Sequence, residues 1–153
     1  MYTGVMRTIR RDIVGAYIFS SDDYLLLGKS NRGTYEGMWI IPGGGVEPEE
    51  SYEQALMREV LEETGLDISK ENVEKMDITL SGQSKKILKD SGEEVLGLYD
   101  FYNYTVRLKQ KSKDIVVVAG DDYTEPTWHK LEDLHKLELP EPSITSLKHL
   151  GLL

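Results

Sequence analysis

Cysteine is absent from the chain, and histidine occurs only three times in 153 residues. Without cysteine there is no disulfide, no thiolate nucleophile and no cysteine-based zinc site, and three scattered histidines do not favour a histidine-rich metal site. Side chains that bind a metal in this chain are therefore expected to do so through oxygen atoms.

Positive charge is also scarce, because 18 lysines and arginines face 27 aspartates and glutamates and give a formal net charge of −9. A protein that binds a nucleic acid polymer needs a basic face that displaces phosphate counterions. The composition therefore argues against a nucleic acid polymer as a partner. A small anionic substrate is compatible with this charge if a divalent cation bridges it to the protein.

Long hydrophobic runs are missing as well. No apolar stretch approaches the roughly 20 residues of a membrane span, and residues 1–19 lack the uninterrupted apolar core of a signal peptide. We expect no membrane partner and a cytoplasmic location. The composition of 39% hydrophobic and 29% charged residues is typical of a soluble globular protein, and the length with no repeat or linker predicts a single domain over 1–153.

Short apolar runs separated by turn residues predict the secondary structure. Strands are expected at 12–20, 24–30, 74–81, 94–107 and 115–119, with a short strand at 38–45 that proline and glycine interrupt. Helices are expected at about 51–64, 131–137 and 143–150, a loop at 31–37 and a hairpin loop at 107–113. Mixed strands and helices indicate a layered α/β domain.

The helix at about 51–64 has clear start and stop signals. Ser51 followed by Gln54 fits a capping box, and Gly65 suits the left-handed position that ends a helix. The apolar stripe predicted to pack on a sheet consists of Leu56, Met57, Val60 and Leu61.

Three glutamates, Glu59, Glu62 and Glu63, share one face of this helix, since residues three and four apart are neighbours around its axis. Like charges at this spacing cost roughly 0.2–0.5 kcal/mol per pair, so a cation is expected beside them. From these residues alone, the alternative is a solvated face on which Arg58 pairs with Glu62 one turn later.

The segment 44–66, GGVEPEESYEQALMREVLEETGL, matches the signature of the Nudix hydrolase family, G-x5-E-x7-R-E-U-x-E-E-x-G-U with U an aliphatic residue. All fixed positions are met, by Gly44, Glu50, Arg58, Glu59, Val60, Glu62, Glu63, Gly65 and Leu66. The preceding WIIPGG and the late segment 121–134, DDYTEPTWHKLEDL, also resemble the family, the latter as an acidic loop, a strand and a short helix. One departure is Glu49, where many members carry glycine.

The resemblance implies a Nudix-type α/β/α sandwich with a mixed β-sheet, and a metal site for Mg²⁺, or Mn²⁺, on the helix that carries the signature. The implied metal ligands are Glu50, Glu59, Glu62, Glu63 and a backbone carbonyl of the turn at Gly43 and Gly44. Arg58 is expected to orient Glu59 or a neighbouring carboxylate through its fixed fork of donors.

The implied reaction is hydrolysis of a nucleoside diphosphate linked to another group, with no covalent enzyme intermediate. Glu59 is the expected base that activates water, and the late-loop carboxylates Asp121, Asp122 and Glu125 are alternatives. Glu125 is equally compatible with bracing its loop.

For the substrate-binding side chains we predict Lys29 as a phosphate contact and Tyr35 and Trp39 as stacking partners of a nucleobase. Each has a plainer alternative. A lysine at a strand end is commonly only solvated, and aromatic side chains in such positions commonly pack in the core.

The resemblance favours a nucleoside triphosphate, deoxy or not, that is cleaved to a monophosphate and pyrophosphate. A nucleotide sugar or ADP-ribose is the alternative substrate, although segment 79–88 lacks the family's proline and tyrosine hallmarks for ADP-ribose and dinucleoside polyphosphates. A domain of another class, which senses a nucleotide without hydrolysing it, would be expected to lose a signature glutamate. Homodimers are common in the family, and the sequence does not decide this point.

Overall fold

The computed structural model describes residues 6–31, 33–120 and 122–153. Its seven strands are β1 (Arg7–Phe19), β2 (Tyr24–Ser30), β3 (Trp39–Ile40), β4 (Gly43–Gly45), β5 (Asn72–Ile87), β6 (Glu94–Arg107) and β7 (Tyr123–Lys130). The two α-helices are α1 (Tyr52–Thr64) and α2 (Glu141–His149), and two 3₁₀ helices span Ser112–Asp114 and Leu131–Lys136.

The strands form one mixed sheet in the order β3-β2-β1-β6-β5, in which β4 also pairs with β1 and β7 with β2. The long central pair β1 and β6 is parallel, with Arg7 opposite Val95 at one end and Phe19 opposite Arg107 at the other. The remaining pairs are antiparallel. Both α/β character and a mixed sheet were predicted, and both are confirmed.

Alternating residues of β1 supply two cores on opposite faces of the sheet, because successive side chains of a strand point to opposite sides. Val14, Ala16 and Ile18 pack in the cluster that contains Leu56 of α1. Tyr17 and Phe19 pack in the cluster that contains Leu134 of the second 3₁₀ helix and Leu147 of α2. Helices therefore cover both faces, as the α/β/α sandwich requires.

The caps of α1 agree with the prediction. Ser51 Oγ accepts a hydrogen bond from the Gln54 backbone N–H (3.1 Å), and Gln54 Oε1 accepts one from the Ser51 backbone N–H (2.8 Å). Gly65 has the left-handed conformation with φ of 74°. These bonds pair backbone groups that the helix ends would otherwise leave without partners.

The predicted apolar stripe of α1 was wrong at Leu61, whose side chain is 53% exposed. Burial instead follows Leu56, Val60, Glu63 and Thr64, which are spaced as i, i+4, i+7 and i+8. Leu61 lies roughly 100° around the helix from Val60, outside the stripe that faces the sheet. A glutamate therefore sits in the buried stripe.

The predicted strand at 115–119 was also wrong. These residues run beside the end of α1, where the Val118 N–H donates to the Thr64 carbonyl (2.9 Å) and the Gly120 N–H to the Glu63 carbonyl (3.2 Å). Their partners are the open carbonyls of the last helical turn rather than another strand. Consequently 107–113 is not a hairpin loop, and the next strand along the chain is β7.

Other boundaries moved by a few residues, as is usual at element ends. The strand expected at 74–81 extends over Asn72–Ile87, the helix expected at 131–137 is the 3₁₀ helix Leu131–Lys136, and α2 begins at Glu141 rather than at 143. None of the helices in the described part of the chain is long and apolar enough to cross a membrane.

Candidate active site

Arg58 lies at the centre of the acidic face of α1. Its Nε and Nη2 donate to the two carboxylate oxygens of Glu50 at 2.7 and 2.9 Å, a bidentate pair. Its Nη1 donates to Glu59 Oε1 at 2.9 Å and, more weakly, to Glu62 Oε2 at 3.4 Å. One guanidinium therefore contacts three of the four signature glutamates.

This cluster has a clear electrostatic signature. The hydrogen bond from Arg58, followed by one from the Glu47 backbone N–H, lowers the pKa of Glu50 to about 2. The hydrogen bond with Glu50 in turn raises the pKa of Arg58 above its ordinary value, against the opposing effect of burial. The cation expected beside the carboxylates is thus supplied, in this conformation, by Arg58 itself.

The glycines before α1 let the backbone approach these side chains closely. Arg58 Nη2 donates to the Gly45 carbonyl at 3.0 Å. A Cβ atom at Gly44 would overlap the carboxylate of Glu59, and one at Gly45 would overlap the guanidinium of Arg11. A side chain at either position would displace a charged group of the site.

Glu63 lies deeper than the other signature glutamates and is only 9% exposed. Its Oε1 accepts a hydrogen bond from the Gly43 backbone N–H at 2.7 Å, which ties α1 to the glycine loop. The fully buried Tyr123 lies nearby, and burial followed by the charge of Glu63 raises the pKa of its phenol. Among the described residues, no partner accepts or donates a hydrogen bond at the Tyr123 hydroxyl.

The residues that could hold a metal are oxygen donors, which suit a hard divalent cation. In the described part of the chain, no group of three or more acidic or histidine side chains has converged in a metal-binding arrangement. The contacts above give the reason, since Glu50, Glu59 and Glu62 turn toward Arg58 and Glu63 turns toward Gly43. The donor set fits such a cation in chemistry, and the lack of a side chain at Gly44 lets the Glu59 carboxylate lie directly against the glycine loop.

The late acidic loop reaches the same end of α1. Gly120 is hydrogen-bonded to the Glu63 carbonyl, and Asp122 follows two residues later. Glu125 is exposed at a bulge between β2 and β7 with φ of 49°, and its carbonyl accepts a hydrogen bond from Thr127 Oγ1 at 2.8 Å. Asp121 lies outside the described residues.

Two of the predicted substrate-binding side chains pack against each other. Lys29 Nζ lies 5.1 Å from the centroid of the Trp39 ring, and the other contact of that ring is His129 at 4.6 Å between centroids. Trp39 also packs on the core beneath α2. Tyr35 is placed differently, since it lines the two cavities described next.

The two cavities lie on the α2 side of the sheet. The smaller, of about 150 Å³, is bounded by β1, β6, the start of α2 and Gly43. The larger, of about 660 Å³, opens between the β5–β6 hairpin and residues 33–35. Ile13, Tyr35 and Phe101 line both, so the cavities are neighbours. Lys29 and Trp39 line neither.

Comparison with known proteins decides the family. A family model described as the NUDIX domain matches residues 9–150. The chain belongs to the Nudix family. Nucleoside triphosphatase NudI from Escherichia coli (strain K12) is 30% identical over 145 residues, which are 94% of this chain and 99% of that protein. NudI from Salmonella agona (strain SL483) is 29% identical over 147 residues, which are 95% of this chain and 100% of that protein.

Solved structures agree on the Nudix fold. The NUDIX domain of Shewanella oneidensis NrtR, crystallised with ADP ribose, aligns with a TM-score of 0.71 and 19% identity over 94% of this chain and 87% of that chain. At that identity the likeness shows the fold alone.

Three side chains near the Nudix signature were not singled out by the sequence: Arg11, Asn103 and Tyr123. Asn103 carried a signal, because it is a polar residue within the apolar alternation of β6 and is nevertheless buried. Arg11 and Tyr123 carried none, since their proximity to the signature depends on strand pairing across the sheet.

Proposed function

We propose that this Nudix protein is a Mg²⁺-dependent hydrolase that cleaves a nucleoside triphosphate to a nucleoside monophosphate and pyrophosphate. The observation that carries the proposal is the group of signature carboxylates around Arg58, placed against the glycine loop that borders the smaller cavity. The NudI relatives, which are named as nucleoside triphosphatases and align over nearly their whole length, support the substrate class.

The groups proposed to hold the metal are Glu50, Glu59, Glu62, Glu63 and a backbone carbonyl of the turn at Gly43 and Gly44, with Mn²⁺ as an alternative to Mg²⁺. When bound, the cation would neutralise negative charge on the phosphate oxygens. Water can attack the phosphorus more easily when that charge is neutralised. Arg58 keeps Glu50 and Glu59 oriented through its hydrogen bonds.

The proposed chemistry is an in-line displacement by water. Glu59 accepts a proton from the water whose oxygen attacks one phosphorus of the bridge between the α- and β-phosphates. The bond between the attacked phosphorus and the bridging oxygen breaks, and the phosphate group that was not attacked leaves with the electron pair, so the products are the monophosphate and pyrophosphate. Arg11, whose guanidinium lies against Gly45, is placed to contact a phosphate oxygen.

Asp122 and Glu125 remain alternative bases in the late loop, with Asp122 favoured by the anchoring of that loop at Glu63. We keep Tyr35 in the proposed substrate site because it lines both cavities. We do not include Lys29 and Trp39, which pack against each other and line neither cavity. A single domain over 1–153 and a cytoplasmic location stay expectations from the sequence, which does not decide between a monomer and a homodimer.

A matched pair of variants tests the proposal. Glu59→Gln removes the proposed base and is expected to lower turnover of nucleoside triphosphates roughly 10²–10⁴-fold while nucleotide binding stays measurable. Glu49→Gln makes the same chemical change at an exposed position of the loop and is expected to keep wild-type turnover.

Wild-type turnover in Glu59→Gln would contradict the assignment of the base. Nucleotide binding without turnover in the wild-type protein would instead favour a domain that senses nucleotides.

A further inference from the structure

The smaller cavity and the carboxylate helix are separated by a single backbone residue. Gly43 lines the cavity, and its N–H donates to Glu63 Oε1 on α1 at 2.7 Å. Ligand pockets for drug-sized molecules have volumes of about 300–1,000 Å³. A cavity of about 150 Å³ is therefore too small for a whole nucleotide and suits one flat heterocycle.

The walls of this cavity are mostly apolar. They include Ile13, Ile41, Phe101 and Pro140. Burial raises the pKa of the Tyr17 phenol, and the hydroxyls of Ser146 and Ser143 oppose the rise.

Asn103 brings a side-chain amide to these mostly apolar walls. It is 93% buried in β6, with 7% of its surface exposed, yet its side-chain amide makes no hydrogen bond to another described residue. Its Oδ1 lies 2.7 Å from where a Cβ atom of Gly15 would stand, so the amide occupies space that only glycine leaves open. An amide on the wall of a cavity with no partner among the described residues is placed to pair with a ligand there.

An amide presents a donor and an acceptor side by side, which matches the hydrogen-bonding edge of a nucleobase. We infer that Asn103 is the residue that reads the nucleobase of the substrate, with the base seated in the small cavity between β1, β6 and the start of α2. This inference rests on the proposed function for the position of the phosphates, at the glycine loop beside Gly43. The donor and acceptor of the Asn103 amide then set which base is preferred.

The test measures binding and hydrolysis separately, with Asn103→Leu as the variant and Asn72→Leu, at an exposed position of β5, as its matched control. Calorimetric titration with the four nucleoside 5′-monophosphates gives the base preference without turnover. Steady-state hydrolysis of the four nucleoside triphosphates gives the base preference of the reaction, as kcat/KM for each. In both measurements, Asn103→Leu is expected to lower the ratio between the best and the poorest base at least tenfold. Asn72→Leu is expected to leave this ratio unchanged.

Gly15→Ala provides a second route that leaves the amide in place. The added Cβ atom would stand 2.7 Å from both Asn103 Oδ1 and Ile41 Cδ1 and would fill the floor of the cavity. It is expected to weaken binding of all four monophosphates at least tenfold, and a circular dichroism melt confirms that each variant is folded. If folded Gly15→Ala binds each monophosphate as tightly as the wild type does, the base does not bind in this cavity.

The two measurements separate this inference from the proposed function. Wild-type hydrolysis together with an unchanged base preference in Asn103→Leu would overturn the role of Asn103 and leave the hydrolase proposal standing. If the wild type hydrolyses no nucleotide but prefers one base in binding, and Asn103→Leu loses that preference, the hydrolase proposal is overturned and the role of Asn103 stands. A wild-type protein that binds all four bases equally would overturn the inference.

Discussion

Arg58 holds the signature carboxylates through directional contacts that depend on the shape of its side chain. Its planar fork makes a bidentate pair with Glu50 while a third nitrogen–oxygen contact reaches Glu59 and the Gly45 carbonyl also accepts a bond. An ammonium group has the same charge but cannot span these acceptors in one plane. Position 58 therefore needs arginine for its geometry as well as its charge.

Arg58→Lys is accordingly expected to destabilise the protein and slow turnover. Hydrogen bonds to charged groups contribute about 1.5–3 kcal/mol each, and lysine retains part of them, so urea unfolding should show a loss of about 1–3 kcal/mol. Turnover should fall at least tenfold because Glu59 loses its orientation. Arg10→Lys, at an exposed position of β1, is the control and should match the wild type in both measurements. Equal stability of the two variants would contradict this account of Arg58.

At the scale of the element, α1 joins the acidic face around Arg58 to the core. Its caps at Ser51 and Gly65 define where the helix starts and stops, and its buried residues pack against one face of the sheet. Glu63 belongs to that stripe and still reaches the Gly43 N–H. The position of the glycine loop is thus coupled to the packing of the helix.

Leu56 and Leu61 provide a matched pair on this helix. Leu56 is fully buried, whereas Leu61 is 53% exposed. Leu56→Ala should cost about 2–5 kcal/mol of unfolding free energy through lost burial and a cavity, while Leu61→Ala should stay within about 0.5 kcal/mol. Urea titrations at one temperature compare them. A larger loss from Leu61→Ala would mean that the helix faces the sheet differently.

The sequence predicted α1 well because its signals are local. The capping pair, the terminal glycine and the signature spacing all lie within 44–66. The strand at 115–119 was mispredicted because its apolar residues pack along the end of α1, a partner that no local pattern reveals. Helix spacing anticipated only the weak contact of Arg58 with Glu62 at 3.4 Å, and not its bidentate pair with Glu50, which precedes the helix. The buried amide of Asn103 beside Gly15 depends on pairing between β1 and β6.

At the scale of the whole molecule, distant segments are joined by the parallel pair β1–β6 and by polar contacts between loops. One such contact links the turn after β1 to the first 3₁₀ helix. The Ser112 N–H and hydroxyl donate to the two carboxylate oxygens of Asp22 at 2.8 and 3.0 Å. The hydroxyl of Ser20, followed by the Ser112 backbone N–H, lowers the pKa of Asp22 to about 2.

This contact gives a dependence of stability on pH with a definite sign. The carboxyl has an ordinary pKa of 3.8, so its folded-state stabilisation is complete above that pH and is lost as the pH falls toward 2. The melting temperature of Asp22→Asn should therefore lie below that of the wild type at pH 7, and the gap should narrow between pH 4 and pH 2. Asp90→Asn, at an exposed turn, should show no gap at either pH. A gap that does not change with pH would refute the assigned role of Asp22.

The central claim is that this Nudix protein hydrolyses a nucleotide with the help of a divalent cation. The measurement that tests it most directly is release of monophosphate and pyrophosphate from a panel of nucleoside triphosphates, nucleotide sugars, ADP-ribose and dinucleoside polyphosphates, each with Mg²⁺ and with EDTA. We expect one or a few nucleoside triphosphates to be cleaved to monophosphate and pyrophosphate with Mg²⁺ and none with EDTA. Turnover that EDTA leaves unchanged, or no turnover of any member of the panel, would contradict the claim.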